Sequence, residues 1–114
     1  ACALLTPPVM EFNAIAAPER LAEVGHILGA AQDPAKTVYE QAAQAAEAFR
    51  ALMRQLDLPL TLSELGARGL ARPAITEADL DTLTADAMLA RGMRGRNPRV
   101  NSERDIHALY ASVL

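Results

Sequence analysis

Four arginines fall within nine residues in the segment Arg91-Gly92-Met93-Arg94-Gly95-Arg96-Asn97-Pro98-Arg99. A guanidinium is planar, permanently charged and donates in pairs, so this stretch suits the clamping of a phosphate or a carboxylate. A solvated loop that compensates nearby acids would have the same composition. No aromatic residues interleave with the arginines, so stacking on single-stranded nucleic acid is not supported. The two histidines are weak metal candidates by spacing. His26 sits beside Val24 and Ile27, and His107 beside Ile106; neither has a Cys, His, Asp or Glu three or four residues further on, although Glu23 precedes His26 by three. Ordinary packing or surface roles account for both. Cys2 could act as a nucleophile only beside a base, and the sequence nominates none; a small buried apolar residue is the simpler reading. No phosphate-cradling glycine loop, nucleophile elbow or paired-histidine motif is present.

Composition narrows the classes further. The 114 residues suffice for one domain with a modest core. The chain is 51% hydrophobic but only 4% aromatic, so alanine and leucine supply the apolar surface, as in packed helices rather than a sheet. A net charge of −3 gives no overall attraction to nucleic acid. One cysteine cannot form an internal disulfide, and no apolar run reaches the length of a membrane span. A cytoplasmic protein without a membrane partner is the expectation. The chain has no initiator Met and opens inside an apolar stretch, Ala1-Cys2-Ala3-Leu4-Leu5, which suggests a piece of something longer with an uncovered edge.

The elements that must carry these residues read as helices. The stretch from Asp33 to Leu56 is central: Asp33 suits an N-cap and Pro34 the first turn, and Val38, Ala42, Ala45, Phe49, Leu52 and Leu56 recur on one stripe. If that stripe is core, Phe49→Ala should cost roughly 3–5 kcal/mol. Pro59 ends it by disfavouring the α conformation at Leu58. Ala1 to about Asn13 reads as a helix that kinks or restarts at Pro7-Pro8. A second helix starts at Pro18, turns Leu21, Val24 and Leu28 inward and stops at Gly29; a linker through Gln32 follows. Thr61 with Glu64, Thr76 with Asp79 and Ser102 with Asp105 have capping-box spacing. They open, in turn, a short helix closing at Gly66, a helix through Leu80, Leu83, Ala87 and Met88, and a last helix facing inward through Ile106, Leu109, Tyr110 and Val113. Residues 67–74 and Arg91 to Val100 read as loops. The fold expected is all-α: an irregular bundle of about five longer helices plus one short helix.

The opening Ala1-Cys2-Ala3-Leu4-Leu5-Thr6-Pro7-Pro8-Val9-Met10-Glu11-Phe12-Asn13, with Ala17-Pro18-Glu19-Arg20 after it, resembles a stretch of the iron-dependent (group III) alcohol dehydrogenases. The similarity continues through Leu56-Asp57-Leu58-Pro59 to Leu65-Gly66, the Asp79-Leu80 helix, Asn97-Pro98-Arg99, and Asp105-Ile106 with Ala108-Leu109-Tyr110. No single motif is diagnostic; the ordered series over the whole chain is the specific signal. The resemblance implies the helical C-terminal domain of the dehydroquinate synthase-like fold, spanning residues 1–114. It also implies an N-terminal half, outside this chain, that binds NAD(P). The metal of such enzymes, Fe2+ or another divalent ion, is held by one Asp and three His, the last of them just before the position matching Ala1. His26 and His107 match no such ligand position.

The oxidoreductase implied transfers a hydride between an alcohol and a nicotinamide, giving an aldehyde or ketone, with the metal polarising the oxygen. In relatives the loop entering Asn-Pro-Arg approaches the active site, so Met93, Arg94, Gly95 and Arg96 are the substrate-cleft candidates; an arginine there suits an acidic substrate, as in the related maleylacetate reductases. This chain alone would carry no catalytic, metal or cofactor-binding residue and would be inactive. Its partners would be the missing N-terminal half, further copies of the enzyme and a small alcohol or aldehyde. A stand-alone helical interaction module is the alternative, with the apolar first helix as its docking surface. Nucleic-acid binding through Arg91–Arg99 is a weaker third reading.

Overall fold

In a computed structural model, residues 2–31 and 33–114 are described, with the side chains of all of these except Cys2 and Met93. The readings made above for Ala1 and Gln32, and for the side chains of Cys2 and Met93, lie outside the described residues. The described residues form seven α-helices and one 3-10 turn, and no strand, in agreement with the all-α expectation. The order is α1 (Cys2–Asn13), α2 (Pro18–Ile27), α3 (Val38–Gln55), α4 (Leu62–Ala67), the 3-10 turn Glu77–Asp79, α5 (Leu80–Met88), α6 (Arg91–Gly95) and α7 (Glu103–Ser112).

Local chemistry sets the helix ends. At the start of α3 the Thr37 hydroxyl accepts from the Glu40 N–H at 3.2 Å, and the Glu40 carboxylate accepts from the Thr37 N–H at 3.0 Å. This box places the start four residues beyond Pro34. Asp33 instead accepts from the Ala35 N–H at 2.9 Å and closes a turn, the other common role of an Asx side chain. The box at Ser102 forms as expected. At Thr76 the Asp79 carboxylate accepts from the Thr76 N–H at 2.8 Å while the Asp79 N–H donates to the Thr76 carbonyl, and Thr61 caps α4 by accepting from the Glu64 N–H. At the far ends, three helices close alike. Ala30 donates to the Gly25 carbonyl across Gly29, Leu58 to Met53 across Asp57, and Leu70 to Leu65 across Gly69. Gly29 and Gly69 have φ of 103° and 71°, where glycine escapes the Cβ penalty, and Asp57 takes the same left-handed role at 53°.

Three expectations need correction. Of the kink or restart expected at Pro7-Pro8, the restart is absent: helix α1 runs through both, and both rings are buried; their packing must offset the backbone hydrogen bonds a proline cannot donate. The inner stripe of α3 is Ala42, Ala45, Ala46 and Met53, each at most 1% exposed, with Phe49 only half-buried. Leu52 and Leu56 are 37% and 61% exposed. Successive helical residues turn by about 100°, which puts Met53 about 20° and Leu52 about 80° from the Ala42 direction. Thirdly, the segment read as loop from Arg91 contains α6, because the Ala90 carbonyl accepts from the Arg94 N–H at 3.0 Å.

Packing follows from small residues. α2 lies along α3, where a Cβ on Gly25 would stand 3.3 Å from the Ala45 nitrogen. α1 crosses α3 and also touches α7, and α5 packs on α7. Arg50 on α3 bridges Glu11 on α1 and Glu47, and the Glu11 carboxylate, ahead of the smaller pull from Glu47, holds the guanidinium above its ordinary range. A second core joins Leu4, Leu62 and Val113, with Leu5, Leu65 and Leu83 against it. The end of α7 feeds the start of α4: the Val113 carbonyl accepts from the Leu62 N–H at 2.7 Å, and the Leu114 carbonyl from the Ser63 N–H and hydroxyl. The first helix is therefore not the uncovered edge expected of it, since Leu4 is only 3% exposed. Uncovered apolar side chains lie elsewhere, at Ile15, Ile27, Leu56, Leu70, Leu89 and Val100.

Candidate functional site

The arginine segment is held by its own side chains. Arg94 reaches back from α6 and donates through Nε to the Asn101 side-chain oxygen at 2.9 Å, and through Nη2 to the Asn101 carbonyl at 3.1 Å. Its Nη1 lies 3.4 Å from the Met88 carbonyl at the end of α5. One guanidinium thus ties the exit of α5 to the entry of α7. The stretch between is fastened to α1. Asn13, 9% exposed, and Asn97 exchange side-chain amide hydrogen bonds of 2.9 and 2.7 Å, and Asn97 also donates to the Arg99 carbonyl at 2.8 Å. Arg99 donates to the Phe12 carbonyl at 2.9 Å with its guanidinium carbon 4.1 Å from the Phe12 ring centroid, a cation–π contact.

Two concavities flank this knot. A mainly apolar one of about 200 Å³ is lined by Val9, Phe12, Arg94, Asn97, Ile106 and Leu109, among others. A more polar one of about 220 Å³ is lined by Arg91, Arg94, Gly95, Asn97, Val100 and Asn101. Of the cleft candidates, Met93 lies in α6, Arg94 is half-buried between the two concavities, Gly95 lines the polar one, and Arg96 is exposed and lines neither. Arg91 was named only as part of the segment, yet it shares the polar concavity with Arg94. The Asn13–Asn97 pair and Asn101 were not anticipated. Phe12-Asn13 and Asn97-Pro98-Arg99 were both visible as motifs, but nothing in spacing tells that residues 84 apart will meet.

The histidines stand apart. His107 Nε2 on α7 lies 3.4 Å from the Asp81 carboxylate on α5, while His26 is on α2. Among the described residues no group of three or more His, Cys, Asp or Glu side chains is placed to hold a metal ion. The donors among the described residues do not fit a metal site. Among the described residues no helix is long and apolar enough to cross a membrane.

The described residues define an all-α domain whose polar concavity is built from arginine and asparagine rather than metal donors. The family model described as Fe-containing alcohol dehydrogenase family, C-terminal, matches residues 1–114, and the chain belongs to that family. It is 33% identical over 110 residues to a sulfoacetaldehyde reductase of Bilophila wadsworthia, covering 96% of this chain and 26% of the relative. It is 31% identical over 108 residues to a lactaldehyde reductase of Escherichia coli K12, covering 95% and 26%. With a 1,3-propanediol dehydrogenase of Citrobacter freundii the identity is 30% over 108 residues, covering 95% and 25%. The chain spans about a quarter of the length of these curated relatives. No solved structure matches it.

Proposed function

We propose that the chain is the helical C-terminal part of an alcohol dehydrogenase that interconverts an alcohol and an aldehyde or ketone by hydride transfer. The divalent metal and the NAD(P) belong to a preceding half of the same enzyme, and the whole assembles as a homo-oligomer in the cytoplasm. The observation that carries the reading is the family match over the full chain, joined by three relatives named as reductases or a dehydrogenase. The form of the domain supports it. Its radius of gyration is 15.1 Å, against about 13 Å for a compact domain of this length. Its accessible surface is 7305 Å², against about 6,100 Å² for a monomer of its mass. Residues 93–96 serve in this reading as wall of the substrate cleft, with Arg94 held in place by Asn101.

Two preparations test it. The 114-residue chain supplied with Fe2+, NAD(H) and short alcohols or aldehydes is expected to give no turnover, and the protein expressed from the complete reading frame is expected to turn them over. Activity of the short chain would show that it holds a metal site of its own. An inactive complete protein would favour the interaction module, a reading for which the exposed Ile27, Leu56 and Leu89 speak.

A further inference from the structure

The geometry points to an oxyanion site in the polar concavity between α6 and α7, formed by Arg91 and Arg94, which takes the carboxylate or sulfonate end of the substrate. The inference rests on the dehydrogenase reading for the word substrate, and on side-chain geometry alone for the anion.

Three observations carry it. First, charge: among the described residues none of Arg91, Arg94, Arg96 and Arg99 has a carboxylate within 4 Å, while Arg50 and Arg68 elsewhere in the chain are each paired with acids. From Ala87 to Ser102 the chain contains no acidic residue at all. Arg91 and Arg94 are therefore not held in ion pairs with acids of this chain, and of the four only Arg99 acts on a nearby carboxyl, that of Asp105. Secondly, free donors: an arginine has five N–H groups, and Arg94 uses three of them on Asn101 and Met88. One N–H on each terminal nitrogen remains, held at a fixed position by the other three bonds. Among the described residues the Arg91 side chain has no hydrogen-bond or ion-pair partner, so it brings all five. Thirdly, shape: both arginines line one concavity of about 220 Å³, together with Gly95, where a Cβ would meet nothing within 4 Å. That is room for a carboxylate or sulfonate with a short carbon chain, but not for a nucleotide. A fixed guanidinium and an exposed one, in a recess lined by no acid, favour an anionic end over a hydroxyl, because the anion adds charge attraction and paired acceptor oxygens to the hydrogen bonds.

The test uses the protein from the complete reading frame, loaded with metal. Inorganic sulfate is titrated at constant ionic strength against chloride, followed by calorimetry. Saturable binding is expected, weakened roughly tenfold or more by Arg91→Gln and unchanged by Arg20→Gln on the exposed side of α2. Binding that fails to saturate, or that Arg91→Gln leaves intact, overturns the site. Arg91 is the first choice because, unlike Arg94, it braces nothing. Kinetics then fix what the site holds. For aldehydes of equal length ending in a carboxylate, a sulfonate or a methyl group, Arg91→Gln is expected to lower kcat/KM about 10- to 100-fold for the two anions and leave the neutral one unchanged. An equal loss for all three overturns the substrate role, as does sulfate inhibition competitive with NADPH instead of the aldehyde, which would assign the recess to a dinucleotide phosphate. No turnover of any aldehyde, with sulfate binding intact, overturns the dehydrogenase reading and upholds the oxyanion site.

Discussion

At the scale of single residues the chain invests most in two asparagines. A side-chain amide has one acceptor and two donor positions, and Asn97 uses both donors, on Asn13 and on the Arg99 carbonyl, while its oxygen accepts from Asn13. Removing one member leaves the other buried without its partner, which costs more than the net worth of the bond. Asn97→Ala is expected to lower unfolding free energy by about 1–3 kcal/mol, measured by urea denaturation. The Asn13→Ala, Asn97→Ala double variant should lose clearly less than the sum of the two single losses; strict additivity would show that the pair is not coupled. Arg96→Ala, at an exposed position, should stay within about 0.5 kcal/mol of the parent. Of this knot, the asparagines were legible beforehand only as members of two separate motifs, but the arginines as chemistry. Their residue type announces itself, whereas a reciprocal amide pair depends on which two loops are brought together.

At the scale of elements, what was legible followed local chemistry and what was not followed competition between signals. Three helix starts were read correctly from Thr or Ser with an acid three residues on, because each is fixed by bonds within one turn. The box is reciprocal at Ser102, while Thr61 caps α4 through its hydroxyl alone and Thr76 through the Asp79 carboxylate. At α3 two valid start signals stand four residues apart, Asp33-Pro34 and Thr37-Glu40, and the reciprocal one prevails. The stripe of α3 drifted for a similar reason: Leu52 is more conspicuous than Met53, but Met53 lies nearer the buried direction. Met53→Ala is accordingly expected to cost about 2–5 kcal/mol, and Phe49→Ala less than Met53→Ala, in thermal or urea unfolding; the reverse order would contradict the burial seen here. The cap of α7 adds a pH dependence. The Ser102 backbone N–H, and then its hydroxyl, hold the Asp105 carboxyl below the ordinary carboxylate range. A depressed value means that the stabilisation is fully present above about pH 4, the unfolded value, and is lost as the pH falls through the folded one. Asp105→Asn should therefore be less stable than the parent at neutral pH and converge with it on acidification. A gap that persists undiminished at pH 2 would rule out the charge as its source.

At the scale of the whole molecule the dimensions are 46 × 32 × 19 Å. Helices pack about 8–10 Å apart, so the shortest dimension admits about two layers. The surface in excess of a monomer's is on the order of 1,000 Å², comparable with one partner's share of a standard protein interface at about 800 Å². Inactivity of the 114 residues would follow from the shape of the body as much as from its donors. A plate only two helices deep has a single stratum of interior side chains. It cannot enclose a dry chamber, so any chemistry that needs shelter from water has to occur where this plate meets another body, with the plate acting as a lining.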